Sequence, residues 1–230
     1  MSSLAIITAR GGSKRIPKKN IKEFCGKPII AYSIEAAIGS KLFDEVMVST
    51  DSEEIADVAR KYGAAVPFMR SAETSDDYAG TEDVVAEVIA DYENRGEQFS
   101  WVCCIYPTAP FVTAEKLQMA YGLFKNNPDA EAVLSVTQFS FPPQRGFYKR
   151  NGYMEFAWPE FKDERSQDLD PIYHDAGQFY FVRMDAFKAQ HTVIPVKSMP
   201  LVFDDSEVQD IDNPTDWRMA ELKFRALHDR

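Results

Sequence analysis

Apolar runs of four to six residues recur along the first 137 positions and alternate with stretches of helical period. The runs over 4–9, 45–50, 65–69, 101–106 and 132–137 read as buried strands, because each is short, nearly continuous and bounded by polar or turn residues. Between them, 29–38, 53–62, 81–94 and 113–126 repeat apolar positions at three- and four-residue intervals, which predicts amphipathic helices. Asp51 or Ser52 is placed to cap the second helix, with Glu54 returning the bond, and Thr81 is placed to cap the third. Strands separated by helices of this length imply βαβ units, hence an α/β fold with a mostly parallel central sheet. Ligands of such sheets collect beyond the carboxyl ends of the strands.

The rhythm stops after Thr137. Residues 139–173 mix proline, aromatic and charged residues with no clean period; 177–183 then reads as another strand and 214–228 as a closing helix. Phe141, Phe147, Tyr148, Tyr153, Phe156, Trp158 and Phe161 crowd the irregular block and need a cover. The expectation is a single domain over 1–230 in which 139–173 is a β-rich flap that packs on a second subunit of a homodimer.

Composition narrows the class. A chain of 230 residues, 45% hydrophobic, can bury one full core. The first apolar run is too short for a leader core or a membrane span. Cys25 and the adjacent pair Cys103 and Cys104 match neither a disulfide framework nor a metal-ligand spacing, so the expected compartment is the reducing cytoplasm. A net charge of −10 argues against nucleic-acid and anionic-membrane partners. The charge is uneven, however. Residues 10–27 hold seven cations and one acid, a local +6 that leaves −16 on the rest.

That basic segment begins where the first strand ends. It runs Ala9-Arg10-Gly11-Gly12-Ser13-Lys14-Arg15-Ile16-Pro17-Lys18-Lys19-Asn20, and it is neither a Walker A loop nor a dinucleotide glycine fingerprint. Its chemistry is related all the same. Gly11 and Gly12 permit a tight turn that aims backbone N–H groups at an anion, and Ser13 adds a hydroxyl donor. Arg10 can grip phosphate oxygens in a fork, while Lys14 and Lys19 act as point charges. An ordinary charged connection is the plainer reading; five cations in ten residues, beside paired glycines, favour a polyanion site. Near the other end, Asp210-Ile211-Asp212 would point two carboxylates to one side of an extended segment, a donor pair that suits Mg²⁺. The same tripeptide is also common in loops and caps.

The basic loop, followed by Gly26-Lys27-Pro28-Ile29, resembles the N-terminal signature of the CMP–acidic-sugar synthetases. The resemblance implies a Rossmann-like nucleotidyltransferase fold, CTP and an acidic nine-carbon sugar as substrates, Mg²⁺ on Asp210 and Asp212, and a dimer formed through a flap. It implies that Arg10, Lys19 and Asn20 bind the triphosphate and cytidine, that Gly11, Gly12, Ser13 and Lys14 wrap the phosphates, and that Arg70 and Thr81 touch the nucleotide. Arg10, Lys19, Asp210 and Asp212 would then be the catalytic group. Tyr106-Pro107-Thr108-Ala109-Pro110 is similar to the family's Gln-Pro-Thr-Ser-Pro, with Tyr106 in place of the glutamine that faces the sugar.

Arg165-Ser166-Gln167-Asp168-Leu169 and Tyr173-His174-Asp175-Ala176-Gly177-Gln178-Phe179-Tyr180 resemble the pseudaminic acid branch. By that resemblance Tyr106, Thr108, Arg165, Gln167, Asp168, Tyr173, His174, Gln178 and Phe179 form the sugar side. Arg165 would pair with the sugar carboxylate, and Tyr106, Tyr173 and Phe179 would pack on its methyl and acetamido groups. His174 stays open between a structural and a catalytic role. The alternatives are legionaminic or N-acetylneuraminic acid as the acceptor, or a nucleotide-binding protein of the same fold without catalysis.

Overall fold

The computed structural model describes residues 2–228. The chain opens with β1 (Ser3–Thr8), a short ribbon of β2 (Glu23–Phe24) and β3 (Lys27–Pro28), and α1 (Ile29–Ser40). Then come β4 (Glu45–Ser49), α2 (Glu53–Lys61), α3 (Thr81–Asn94), β5 (Trp101–Ile105), α4 (Ala114–Asn126) and β6 (Ala132–Gln138). A hairpin of β7 (Phe147–Arg150) and β8 (Tyr153–Phe156) precedes β9 (Tyr173–Arg183), α5 (Met184–Gln190), β10 (Ser198–Phe203) and α6 (Pro214–His228).

Six strands form one sheet in the order β10-β6-β9-β5-β1-β4. All neighbours run parallel except β9, which is antiparallel to both β5 and β6. Both faces are covered, so the central strands are apolar on both sides. On one face Ile7, Cys103, Ile105 and Phe181 meet Ile34 of α1 and Leu117 and Phe124 of α4. On the other, Ile6, Val102, Cys104 and Val182 meet Val85, Val88 and Tyr92 of α3. Cys103 and Cys104 therefore fill opposite faces of one strand.

Three local expectations change. Residues 65–69 form no strand: Ala65 makes a single parallel bridge to Met47, and Pro67, lacking a donor, stops the ladder there. The Ser52 side chain makes no capping bond at α2. Gly80, not Thr81, caps α3, with its N–H donating to Asp83 Oδ2 at 3.0 Å. Thr81 is the first helical residue, which leaves its hydroxyl for other partners. Two further elements, α5 and β10, form where the sequence reading assigns none; β10 is an edge strand that contains Pro200.

The block over 139–173 contains the β7–β8 hairpin, turned by Asn151 and Gly152 with φ of 52° and 87°. Both values lie in the left-handed region that two-residue hairpin turns need. The Phe147 and Phe156 rings pack on each other at 4.5 Å, yet Phe141 is 87% exposed and Tyr153 77%.

A third apolar cluster fixes the segment before α6. Ile211 is fully buried with Ile16, Phe24, Phe111 and Trp217. The Phe24 ring stands edge-on to Tyr32, Trp217 and Phe224 at 5.8, 5.5 and 5.4 Å. Ile211 is thus the anchor that holds Asp210 and Asp212 in an extended pose. Truncating it, as Ile211→Ala, should cost about 2–5 kcal/mol in urea unfolding. A loss below ~1 kcal/mol would mean that the cluster does not hold the segment.

Candidate active site

A cleft of about 580 Å³ opens beyond the carboxyl ends of β1 and β5. The basic loop forms one wall. Asn20 Nδ2 donates to the Arg10 carbonyl at 2.9 Å and folds the loop back on itself. Gly11 passes so close to α2 that a Cβ there would sit 3.1 Å from Ser52 Cβ, which explains the glycine. Its N–H donates to Asp51 Oδ1 at 2.7 Å, so that donor is engaged and does not point at the cleft. Gly12 faces open space. The Gly11 N–H is therefore occupied in this conformation, and Arg10, Ser13, Lys14, Lys19 and Asn20 line the cleft.

The cations are held individually. Arg70 is 8% exposed; its Nε donates to Ser49 Oγ at 3.0 Å and its Nη2 to the Ser49 carbonyl at 2.7 Å. Burial disfavours its charge, with Asp51 and Glu87 opposing that effect. Lys19 Nζ donates to the Ile211 carbonyl at 2.7 Å and lies 3.8 Å from Asp212. Burial lowers its pKa, and the charges of Asp212 and Asp210 work against that. Arg10 Nη1 donates to the Asp76 carbonyl at 2.7 Å and to Asp77 Oδ1 at 2.9 Å, and Lys14 donates to Asp77 Oδ2.

Beside Lys19 and Arg15, Asp210 and Asp212 both face the cleft, with Ile211 turned into the core between them. This is the alternation that an extended segment imposes. Asp212 pairs with Arg15 at 3.1 Å. Displacement of water by the cleft walls, followed by the charge of Asp212, raises the Asp210 pKa, with Lys19 in partial compensation. Two carboxylates under mutual repulsion in one cleft are a donor set for a hard cation.

On the remaining wall, Thr81, Tyr106 and Thr108 line the cleft, and Thr81 Oγ1 lies 3.2 Å from Tyr106 Oη. The other sugar-side candidates do not reach it. Arg165, Gln167 and Asp168 sit exposed in the flap, where Asp168 engages Arg165 at 2.6 and 3.1 Å. Tyr173 and His174 begin β9 near the flap, and the His174 ring packs on Phe139 at 4.6 Å. His174 Nδ1 lies 2.9 Å from the Asp175 carbonyl, which makes Nδ1 the protonated nitrogen and a structural donor. Gln178 is buried and donates from Nε2 to the Glu207 carbonyl at 2.9 Å, tying β9 to the carboxylate segment. Phe179 is fully buried among Phe181 and Phe203 and cannot pack on a ligand in the cleft.

Sequence reasoning missed Arg15 and Asp77 as cleft residues. Asp77 meets Lys14 across 63 positions, and nothing local to Ser75-Asp76-Asp77-Tyr78 signals that return.

A family model described as cytidylyltransferase matches residues 4–201. The chain belongs to the cytidylyltransferase family. Among its curated relatives, the pseudaminic acid cytidylyltransferase of Campylobacter jejuni is 42% identical over all of this chain and 99% of its own length. The CMP-N,N'-diacetyllegionaminic acid synthase of Legionella pneumophila is 34% identical over 96% of this chain and 95% of its own. In fold, the chain is similar to a CMP:2-keto-3-deoxy-manno-octonic acid synthetase solved with CTP, at TM-score 0.68 and 14% identity, with both chains fully covered.

Asp77 sits where the cleft's cations converge, as a phosphate would. Asp77→Asn should therefore tighten pyrophosphate binding about two- to fivefold, the range of an exposed ion pair, read by titration calorimetry. Weaker binding in the variant would show that Asp77 organises the cations and does not compete for them.

Proposed function

We propose that this chain transfers CMP from CTP to pseudaminic acid and releases pyrophosphate. The relationship to the Campylobacter jejuni enzyme along the full length of both chains carries the choice of sugar. The cleft supports the chemistry. Its five cations suit a triphosphate, and its paired carboxylates line the same cleft beside Arg15 and Lys19.

In this reading the anomeric hydroxyl of the sugar attacks the α-phosphorus in line. Arg10, Lys14 and Arg70 hold the departing pyrophosphate, and Lys19 offsets charge at the transferring group. Arg70 is buried and bonded through both Nε and Nη2, so it is set in place before substrate arrives. Positioned charges of this kind need no reorganisation during the reaction. Asp210 and Asp212 would hold Mg²⁺. The donor set fits, because Asp210 and Asp212 offer hard anionic oxygen ligands of the kind Mg²⁺ takes. A divalent cation bound there supplies Lewis-acid polarisation of the phosphate oxygens.

We also propose a homodimer closed by the flap. Phe141, Tyr153 and Met154 are 87%, 77% and 62% exposed in the single chain, an apolar surface that a second copy would cover. No helix among the described residues is long and apolar enough to cross a membrane. CTP is an intracellular nucleotide, and the proposed compartment is the cytoplasm.

The decisive assay measures pyrophosphate release with CTP against pseudaminic, legionaminic and N-acetylneuraminic acids. Pseudaminic acid should give the highest kcat/KM; a higher value for either other sugar would reassign the acceptor. Turnover should vanish with EDTA and return with Mg²⁺, and Asp212→Asn should lower it about 100-fold or more at limiting Mg²⁺. Asn at this position with turnover near the parent value would remove Asp212 from the metal site. Sedimentation should give twice the chain mass, and a monomer at assay concentration would refute the flap interface.

A further inference from the structure

The peptide between Ile211 and Asp212 is gripped at both of its polar ends. Its carbonyl, on Ile211, accepts from Lys19 Nζ at 2.7 Å. Its N–H, on Asp212, donates to Asp216 Oδ2 at 2.9 Å. A cation thus sits on the negative end of the peptide dipole and a carboxylate on the positive end, and hydrogen bonds to charged groups are the stronger kind. Lys19 lines the cleft, whereas Asp216 does not. Asp216 stands half-buried in the first turn of α6.

This peptide decides where the Asp212 carboxylate points. The Ile211 side chain is fully buried in its cluster and fixes the chain as far as its own Cα. From there to Asp212 the backbone has only two soft dihedrals, ψ of Ile211 and φ of Asp212, and they flank this one peptide plane. Holding its carbonyl and its N–H holds both torsions. The Asp212 carboxylate itself meets Arg15 at 3.1 Å, a half-exposed ion pair that restrains it weakly. The precision of Asp212 therefore comes from its backbone.

A helix cap alone does not account for Asp216. Asn213 Oδ1 accepts from the N–H groups of Thr215 and Asp216 at 2.8 and 3.1 Å, and Asp216 Oδ2 accepts in return from the Asn213 N–H at 2.9 Å. That reciprocal set is already a complete capping box for α6. The bond to the Asp212 N–H falls one residue outside the box, on the same carboxylate oxygen.

We infer that Asp216 is a positioning residue for Asp212: it holds the Ile211–Asp212 peptide against Lys19 and so presents the Asp212 carboxylate, beside Asp210, to a divalent cation. This rests on the proposed Mg²⁺ site, because it concerns how that site's carboxylates are aimed.

Binding of Mn²⁺ to the protein without substrates, read from the electron paramagnetic resonance signal of the free ion, tests this independently of turnover. Asp216→Ala should raise the Kd for Mn²⁺ about tenfold, the scale of one hydrogen bond to a charged group. Asp216→Asn keeps an acceptor oxygen and should stay within about threefold of the parent. Asn213→Ala removes the other half of the capping box but leaves Asp216 on the Asp212 N–H. It should lower the melting temperature by about 2–4 °C, much as Asp216→Ala does, with a Kd within about twofold of the parent. An equal rise in Asn213→Ala would reduce Asp216 to a helix cap and overturn the inference. The charge of Asp216 also weighs on Asp210, so equal losses in Asp216→Ala and Asp216→Asn would assign the effect to charge and overturn it too. A Kd within about twofold of the parent in Asp216→Ala would do the same. Should Asp216→Ala not fold, Asp216→Ser, whose hydroxyl ends one atom short of the carboxylate oxygens, takes its place with the same expected rise. Binding of Mn²⁺ no weaker in Asp212→Asn than in the parent would instead refute the metal site beneath the inference, and the inference with it.

Discussion

Repulsion among the cations gathered beyond β1 is the constraint that the rest of the cleft answers. Arg10, Lys14, Arg15, Lys19 and Arg70 share one cavity, and two of them have lost much of their water. Each is compensated by a specific group. Ser49 takes Arg70, the Ile211 carbonyl takes Lys19, Asp212 takes Arg15, and Asp77 takes both Arg10 and Lys14. The compensation is partial by nature. Ion pairs on the open side of the cleft are weakly held, because water competes with them. Arg70, on the closed side, is fixed. The cleft thus combines rigid charge with charge that can be reassigned to a polyanion.

The apolar framework makes that arrangement possible. Phosphate-binding groups lie on loops, and loops acquire precision only from what they are tied to. Here the ties are Asn20 on the Arg10 carbonyl, Gly11 on Asp51, and Ile211 in its aromatic cluster. Ile211 has a double role, since its side chain fills the core while its carbonyl receives Lys19. The alternation of a buried residue between two exposed carboxylates then follows from extended backbone alone.

Much of this is legible in the amino-acid sequence. Period and length locate β1, β4, β5, β6 and the long helices, and the basic loop together with Asp210 and Asp212 marks charged residues that line the cleft. The misses have physical causes. Residues 65–69 are apolar enough for a strand, yet Pro67 removes the donor that a second bridge would need. The direction of β9 is invisible because a buried strand looks apolar on both faces whichever way it runs. Edge strand β10 and the seven-residue α5 are too short and too interrupted to show a period. Arg165 and His174 carry the right chemistry for a sugar carboxylate, but residue type does not reveal distance, and both lie outside the cleft. Asp77 acts across folded contacts that no local spacing encodes.

On CTP binding, the cleft's cations are expected to exchange carboxylate partners for phosphates. A crystal structure of the protein with CTP bound tests it directly. Phosphate oxygens should lie on Arg10 and Lys14, with the Asp77 carboxylate displaced from both and Arg70 still on Ser49. CTP bound elsewhere, or bound with the Arg10–Asp77 and Lys14–Asp77 pairs intact, would contradict it.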